Sequence, residues 1–364
     1  PCADAVVAAG IARVVACHGD PDPRVSGRGF ARLRAAGIEV EVGAQAAAAA
    51  RLNLAFLVAA IERRPAVTLK WAMSLDGRIA TAGGESQWIS SPRGRRWALA
   101  LREEHDATLV GSGTALADDP RLDRRLGLAG APGVRVVLDR RLRLSEGVQG
   151  VEALGGEVGP AGSDGMARPA GLGPPGPGEV ARPAGLGSAG LGRVARPAGL
   201  GSAGLGWVAM PAGPSRLTRI FAAAGPLLIY TEPGGSSDGG GGAQGRAALA
   251  ACGATVIELA VVAPGAVLAD LYARGVRSVL VEGGALVLAS FVASGLYDRV
   301  AVDCAPLLIG GSAAPGPLGG AGAAALAAAP RLERLETRRR GPDVILDGLR
   351  RGCIEQILAR VLPA

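Results

Sequence analysis

Four groups of residues carry chemistry. Lys70 is the only lysine in a chain with 39 lysines and arginines, and it interrupts the apolar run Leu69–Met73. Arginine keeps its proton at any useful pH, whereas a partly desolvated lysine can donate one or polarise a carbonyl. A lysine that snorkels to a strand edge is the bland alternative. Glu282 closes the apolar run Ser278–Val281 and is followed by Gly283 and Gly284. An acid at the end of a buried strand needs a polar partner. The glycines permit close backbone approach, and a helix opening after them offers free N–H groups to a nucleotide phosphate. The spacing is not G-x-G-x-x-G, so a Rossmann reading is not supported, and a tight turn packing a helix on a sheet competes.

The third group is Gly111-Ser112-Gly113-Thr114, a small hydroxyl-bearing turn fed by the apolar strand Ala107–Val110 and able to aim backbone N–H groups at an anion. The fourth is Arg95, Arg96 and Arg102 on a helical run from Ser91 to Glu104. A seven-residue separation puts Arg95 and Arg102 on one helix face, where they either reach a phosphate or form a solvated surface. Asp118-Asp119-Pro120 reads as a metal or acid/base pair, or as a turn with an Asp cap. The chain has two histidines, neither near a cysteine or carboxylate at ligand spacing, so a catalytic metal there is not expected. His18, at a strand exit, reads as structural. The five cysteines, Cys2, Cys17, Cys252, Cys304 and Cys353, are scattered and lack any C-x-x-C, which suits reduced thiols.

These residues need strands and helices to bring them together. Residues 1 to about 62 read as an α/β piece: a helix over Ala3–Ala9, a strand Ala12–Ala16, a turn at Asp20-Pro21-Asp22-Pro23, a helix Gly29–Ala36, a strand Ile38–Val42 and a single helix Ala44–Ile61. Arg64-Pro65 marks a boundary. Beyond it come the Lys70 strand, a turn at Asp76-Gly77, the strands already named, and Val134–Leu138. The phrase ARPAGLG then recurs at Ala167, Ala181 and Ala195, with AMPAG at Ala209, a 14-residue period. These repeats carry Pro and several Gly and cannot bury a continuous face, so residues 151–215 read as a disordered insertion rather than a solenoid. Gly234–Gly242 reads as a second flexible loop. The α/β rhythm resumes with strands at Pro226–Tyr230, Thr255–Leu259, Ser278–Glu282, Arg299–Leu308 and Asp343–Leu346. Helices are expected at Ala243–Ala251, Val267–Arg274, Ala285–Ser294 and Ile354–Val361. Strands alternating with helices argue for a parallel sheet.

A net charge of +7 and a pI near 9.8 raise nucleic acid as a partner. Arginine in place of lysine, with abundant alanine and 58 glycines, is instead the signature of a GC-rich coding sequence, and 3% aromatics leave no base-stacking platform. No apolar run reaches the roughly 18 to 20 residues that a bilayer span needs. The opening at Pro1 rather than Met suggests a missing or processed N-terminus.

Several segments in register resemble a known family. Pro1-Cys2 with AVVAAGIARVVACHGDPDPRVSGRGFARLRAAGIEVEVG resembles the second half of the deaminase domain in the bifunctional deaminase/reductase of riboflavin biosynthesis. LKWAMSLDGRIATAGGESQWIS, LREEHDATLVGSGTALADDPRLDRR, VEGGALVLASFV and APLLIGG with GPDV resemble its reductase domain, in the family's order. The resemblance implies the C-terminal half of a cytidine-deaminase-like α/β domain over 1–63. A dihydrofolate-reductase-like α/β domain follows over 66–364, interrupted by the repeats. It implies reduction by NADPH of the ribose of 5-amino-6-(5-phosphoribosylamino)uracil, a phosphoribosylaminopyrimidine, to a ribityl chain.

Residue by residue, the resemblance implies substrate contact at Ser86, Arg102, Leu122, Arg125 and Glu282. It implies cofactor contact at Ala72, Trp88, Thr114 and Asp118 and along Gly284, Ala285, Leu286, Val287, Leu288, Ala289 and Ser290. Arg140 stands where many relatives carry a serine. Lys70 is the expected catalytic residue, polarising or protonating the carbonyl or imine as hydride reaches C1 of the ring-opened ribose. Of the deaminase zinc ligands only the last has a counterpart, Cys2. The His-x-Glu segment is absent, so zinc and deamination are expected only if the parent protein supplies the preceding segment. Relatives suggest a homodimer through the reductase domain; the composition argues against nucleic acid or membrane as partners, and a bacterial source implies the cytoplasm, a green alga or plant the plastid. A catalytically silent reductase-like binding protein is the alternative.

Overall fold

The computed structural model describes residues 2–148, 217–234 and 241–362; the 14-residue repeats lie outside the described residues. Residues up to Glu62 form α1 (Cys2–Ala8), β1 (Arg13–Ala16), α2 (Arg28–Ala35), β2 (Glu39–Val42), α3 (Ala46–Leu52) and α4 (Leu54–Glu62). Strands β1 and β2 pair in parallel as a two-stranded sheet. The single helix expected over Ala44–Ile61 is two helices. Asn53 leaves helical geometry between them, with φ −96° and ψ 19°. Asparagine favours such breaks because its side chain competes with the backbone for hydrogen bonds. The break lets both helices pack on the C-terminal helix α12 (Cys353–Val361): Ala50, Leu54, Leu57 and Val58 meet Ile354, Ile357 and Val361 in one buried cluster.

The large sheet has nine strands: β3 (Ala66–Ser74), β4 (Ala107–Gly111), β5 (Val134–Leu138), β6 (Leu227–Thr231), β7 (Ala254–Glu258), β8 (Ser278–Gly283), β9 (Arg299–Ala305), β10 (Leu332–Arg340) and β11 (Asp343–Arg350). Their order is β10-β11-β9-β3-β8-β4-β5-β6-β7, parallel from β9 to β7, with β10 and β11 antiparallel at one edge. Alternate residues of the central strands serve the two faces. Leu109, Val136 and Tyr230 enter one apolar cluster, while Val110, Val137 and Ile229 enter another. A sheet buried on both faces requires the continuous Val/Ile/Leu runs these strands carry. The intervening helices are α5 (Pro92–Glu103), α6 (Ser112–Asp118), α7 (Leu144–Val148), α8 (Arg219–Ala222), α9 (Gly241–Ala251), α10 (Pro264–Ala273) and α11 (Ala285–Ser294).

Four of these features differ from the sequence reading. Gly111 ends β4 and is the N-cap of α6, and Ser112–Thr114 open that helix rather than forming a turn. The short helices α7 and α8 and the edge strand β10 were not expected. In β10 nearly every residue is exposed, so it shows no alternation to read. The strand exists because its backbone pairs with β11.

Candidate functional site

Strand β8 lies between β3 and β4: the chain crosses it in passing from β3 to β4, and later runs from β8 back past β3 to β9, and this reversal of direction opens a crevice at the carboxyl ends of the strands, where open α/β sheets bind ligands. A cleft of about 1070 Å³ fills this position. Strand β3 contributes Lys70 and Ala72, and the loop after it Ser86 and Trp88. Helix α5 contributes Arg95 and Arg102. Thr114 and Asp118 come from α6, Leu122 and Arg125 from the segment beyond it. Glu282 ends β8, and Gly284 to Leu288 with Ser290 follow into α11; Ala289, on the same helix, does not line the cleft.

Why α5 starts where it does is legible locally. Ser91 is its N-cap, with Oγ accepting from the Gly94 N–H, and Pro92 takes the first helical position, where no N–H is needed. The helix then carries Arg102 over the end of β8. There Arg102 donates from Nε and Nη2 to the two carboxylate oxygens of Glu282, each at 2.7 Å. Glu282's partner is therefore the arginine that the helix spacing had marked for a phosphate. Burial opposes the charge on Glu282, but Arg102, helped by Lys70 and Arg125, holds the carboxyl at about 2. Lys70 has no hydrogen bond or ion pair among the described residues, which leaves its ammonium available in the cleft.

The opposite wall is bare backbone. A Cβ on Gly111 would stand 2.8 Å from Val287 Cγ2, and one on Gly283 would stand 3.3 Å from Thr114 Oγ1. Gly284 has φ +80°, a conformation natural only to glycine, and is the N-cap of the ten-residue α11. This combination of close-packed glycines and a helix start fits a dinucleotide phosphate. Trp88 is 67% exposed, and the Arg95 guanidinium lies 4.6 Å from its ring centroid. Gln87 Nε2 donates to Asp118 Oδ1 at 3.3 Å. Arg140, at the far end of the cleft, pairs with Glu232 at 2.9 Å.

Other candidate residues are structural. Asp119 accepts N–H bonds from Thr218, Arg219 and Ile220, so the Asp118-Asp119-Pro120 turn is indeed a capping turn, but for a helix 100 residues on. His105 is buried, its Nδ1–H donating to the Leu101 carbonyl at 2.7 Å and its Nε2 facing Thr68 Oγ1 at 2.8 Å. Burial pulls it down to about 4, so it is neutral. His18 bonds Gly19 and Asn53. Cys2 is exposed at the start of α1, and no group of three or more His, Cys, Asp or Glu able to hold a metal occurs among the described residues. No helix among the described residues is long and apolar enough to cross a membrane.

One feature escaped the sequence altogether. Asp303 on β9 and Asp343 on β11 are both 1% exposed, and an Oδ1 of each is without a hydrogen-bond partner. Burial, then the charge of Asp343, raises Asp303 to about 6 against the pull of Lys70. The two acids lie 40 residues apart in sequence; Asp343 belongs to the GPDV segment, but nothing local to either acid marks it as half of a pair.

Comparison with known proteins agrees with this architecture. The RibD C-terminal domain profile matches residues 65–157 and 243–346. The riboflavin biosynthesis protein RibD of Bacillus amyloliquefaciens is 32% identical over 351 residues, covering 96% of this chain and 74% of that protein. The solved structure of Acinetobacter baumannii RibD aligns with a TM-score of 0.62 at 27% identity, over 96% of this chain and 76% of that one. The Thermotoga maritima deaminase/reductase aligns with a TM-score of 0.63 at 24% identity, which speaks for the fold, over 96% and 74%. With its mixed sheet, its carboxyl-end cleft and a match running nearly its full length, the chain belongs to the RibD family of riboflavin biosynthesis proteins and carries the RibD C-terminal reductase domain.

Proposed function

We propose that the chain reduces the ribose of 5-amino-6-(5-phosphoribosylamino)uracil with NADPH. The observation that carries this reading is the arrangement in one cleft of an unpaired Lys70 ammonium, the Arg102–Glu282 pair and the glycine-floored wall of Gly283, Gly284 and Thr114. NADPH, when bound, supplies the hydride. The residues that would hold it are Ala72, Trp88, Thr114, Asp118 and the start of α11, whose bare backbone suits a pyrophosphate. Ser86, Leu122, Arg125 and the Arg102–Glu282 pair would hold the substrate. Lys70 holds a proton at Nζ, and from there it polarises or protonates the ribose C1 carbonyl or imine as the bond to that carbon forms. Glu282, kept ionised by Arg102, stabilises that ammonium and orients substrate hydroxyls. Oxidation of NADPH in the presence of the pyrimidine substrate tests the reading; its absence with NADPH still bound would favour a silent binding protein.

Two further parts of the proposal have their own tests. Residues 1–63 act as the back half of a deaminase domain, with Cys2 as a zinc ligand only where the rest of the site is supplied; zinc analysis and a deaminase assay on the parent protein decide. The reductase region forms a homodimer, which a solution mass measurement decides.

A further inference from the structure

Arg219 opens α8, and its guanidinium has no hydrogen-bond or ion-pair partner among the described residues. Its backbone, by contrast, is held firmly. Asp119, in the left-handed conformation with φ 38°, accepts from the N–H groups of Thr218 at 3.0 Å, Arg219 at 2.8 Å and Ile220 at 2.9 Å. The Thr218 hydroxyl adds a bond at 3.3 Å. From the other side, buried Arg135 donates to the carbonyls of Ile220 and Gly225. A segment gripped through both its N–H and its C=O groups presents its free side chain at a fixed place, and that place is the cleft, beside Arg121 and Arg125.

Charge is unbalanced there. Buried Asp123 accepts from Arg121 at 2.9 Å and from Arg125 at 3.4 Å, so one carboxylate serves two guanidinium groups. Arg102 is engaged by Glu282. Burial, then repulsion by Arg102, with Arg121 and Arg219 adding to it, lowers the pKa of Arg125 against the attraction of Asp123. Cations gathered in a cleft without matching acids are relieved by an anion placed among them.

We infer that Arg219, positioned by Asp119, is an additional guanidinium ligand, with Arg125, for a phosphate monoester bound in the cleft. The inference rests on the proposed reductase reading, under which two ligands carry that group: the substrate on its ribose and NADPH on its adenosine ribose.

Binding measured by calorimetry on the full chain separates the possibilities. Ribose 5-phosphate with ribose as control probes the substrate's group, and NADP⁺ with NAD⁺ as control probes the cofactor's. Loss of one charge-assisted contact should weaken the phosphate-bearing ligand roughly tenfold or more in Arg219→Ala. Arg219→Lys should restore part of this, while ribose and NAD⁺ should be unaffected. A fall confined to ribose 5-phosphate assigns Arg219 to the substrate, and one confined to NADP⁺ assigns it to the cofactor. Asp119→Ala should reproduce the loss, and Asp119→Asn, whose one acceptor oxygen can serve only part of the N–H set now shared between Oδ1 and Oδ2, should fall between Asp119→Ala and wild type. Equal affinities for wild type and Arg219→Ala with all four ligands would overturn the inference. Failure of the wild-type chain to oxidise NADPH with substrate would instead overturn the reductase reading, leaving the Arg219 comparison on ribose 5-phosphate to stand or fall alone.

Discussion

Arg102 and Glu282, separated by 180 residues, meet through two parallel 2.7 Å hydrogen bonds with only 12% and 9% of their side chains exposed. The pair joins α5 to the end of β8 across the cleft floor. Removing one member of a buried ion pair leaves the other charge unpaired, at a cost of about 3 kcal/mol or more. Glu282→Ala is therefore expected to lower stability by that order in urea unfolding. The pH dependence has a definite sign. The folded carboxyl, at about 2, lies below its ordinary value near 4.5, so its contribution is complete above that value and is lost as pH falls toward 2. Glu282→Gln should flatten this acid limb, and an unchanged limb would count against the pairing.

Asp303 should act in the opposite direction. Its folded value, about 6, lies above the ordinary 3.8, because burial and the neighbouring Asp343 disfavour its charge. The fold binds a proton that the unfolded chain releases, so stability is fully present below 3.8 and declines as pH rises through 6. Asp303→Asn removes the titration. It should stabilise the chain at neutral pH by on the order of 3 kcal/mol and abolish the slope between those values. Thermal unfolding at several pH values checks this, and a variant no more stable than wild type at neutral pH would rule it out.

Gly94 lies on α5 directly above that acid pair, and a Cβ there would collide with Oδ2 of both Asp303 and Asp343. Alanine in a helix interior is ordinarily better than glycine by about 1 kcal/mol. Overpacking against two buried carboxylates costs about 1 to 3 kcal/mol and displaces the helix that carries Arg102. The second effect should win, so Gly94→Ala is expected to unfold at a lower temperature than wild type. Introducing Asp303→Asn as well should not rescue it, since the asparagine oxygen or nitrogen occupies the same space.

Much of the site could be read from sequence because its signals are local. An apolar run ending in Gly283-Gly284 dictates a strand, a break and a helix, and α11 spans Ala285–Ser294 as expected. The lone Lys70 was conspicuous against arginine everywhere else. What could not be read is pairing over distance. Glu282 demanded a partner, and Arg102 looked free for a phosphate, but only the sheet order brings the two together. Arg219 belongs to no motif, and its position depends on a carboxylate 100 residues earlier. Strand β10 gave no alternation because both of its faces are largely exposed.

Lys70 carries the sharpest chemical test. It stands on the cleft face of β3, two residues before Ala72, within electrostatic reach of Glu282 on one side and Asp303 on the other. Neither acid contacts it, so its Nζ is not consumed in an ion pair among the described residues. A positioned general acid contributes roughly 100-fold to 10,000-fold in rate. Lys70→Ala should therefore lose turnover in that range while binding NADPH about as well as wild type. Lys70→Arg restores the charge but cannot readily release a proton. If Lys70 only polarises the carbonyl, the arginine variant should recover a large part of the rate; if it donates the proton, turnover should stay near that of the alanine variant. Unchanged turnover in both would remove Lys70 from the chemistry.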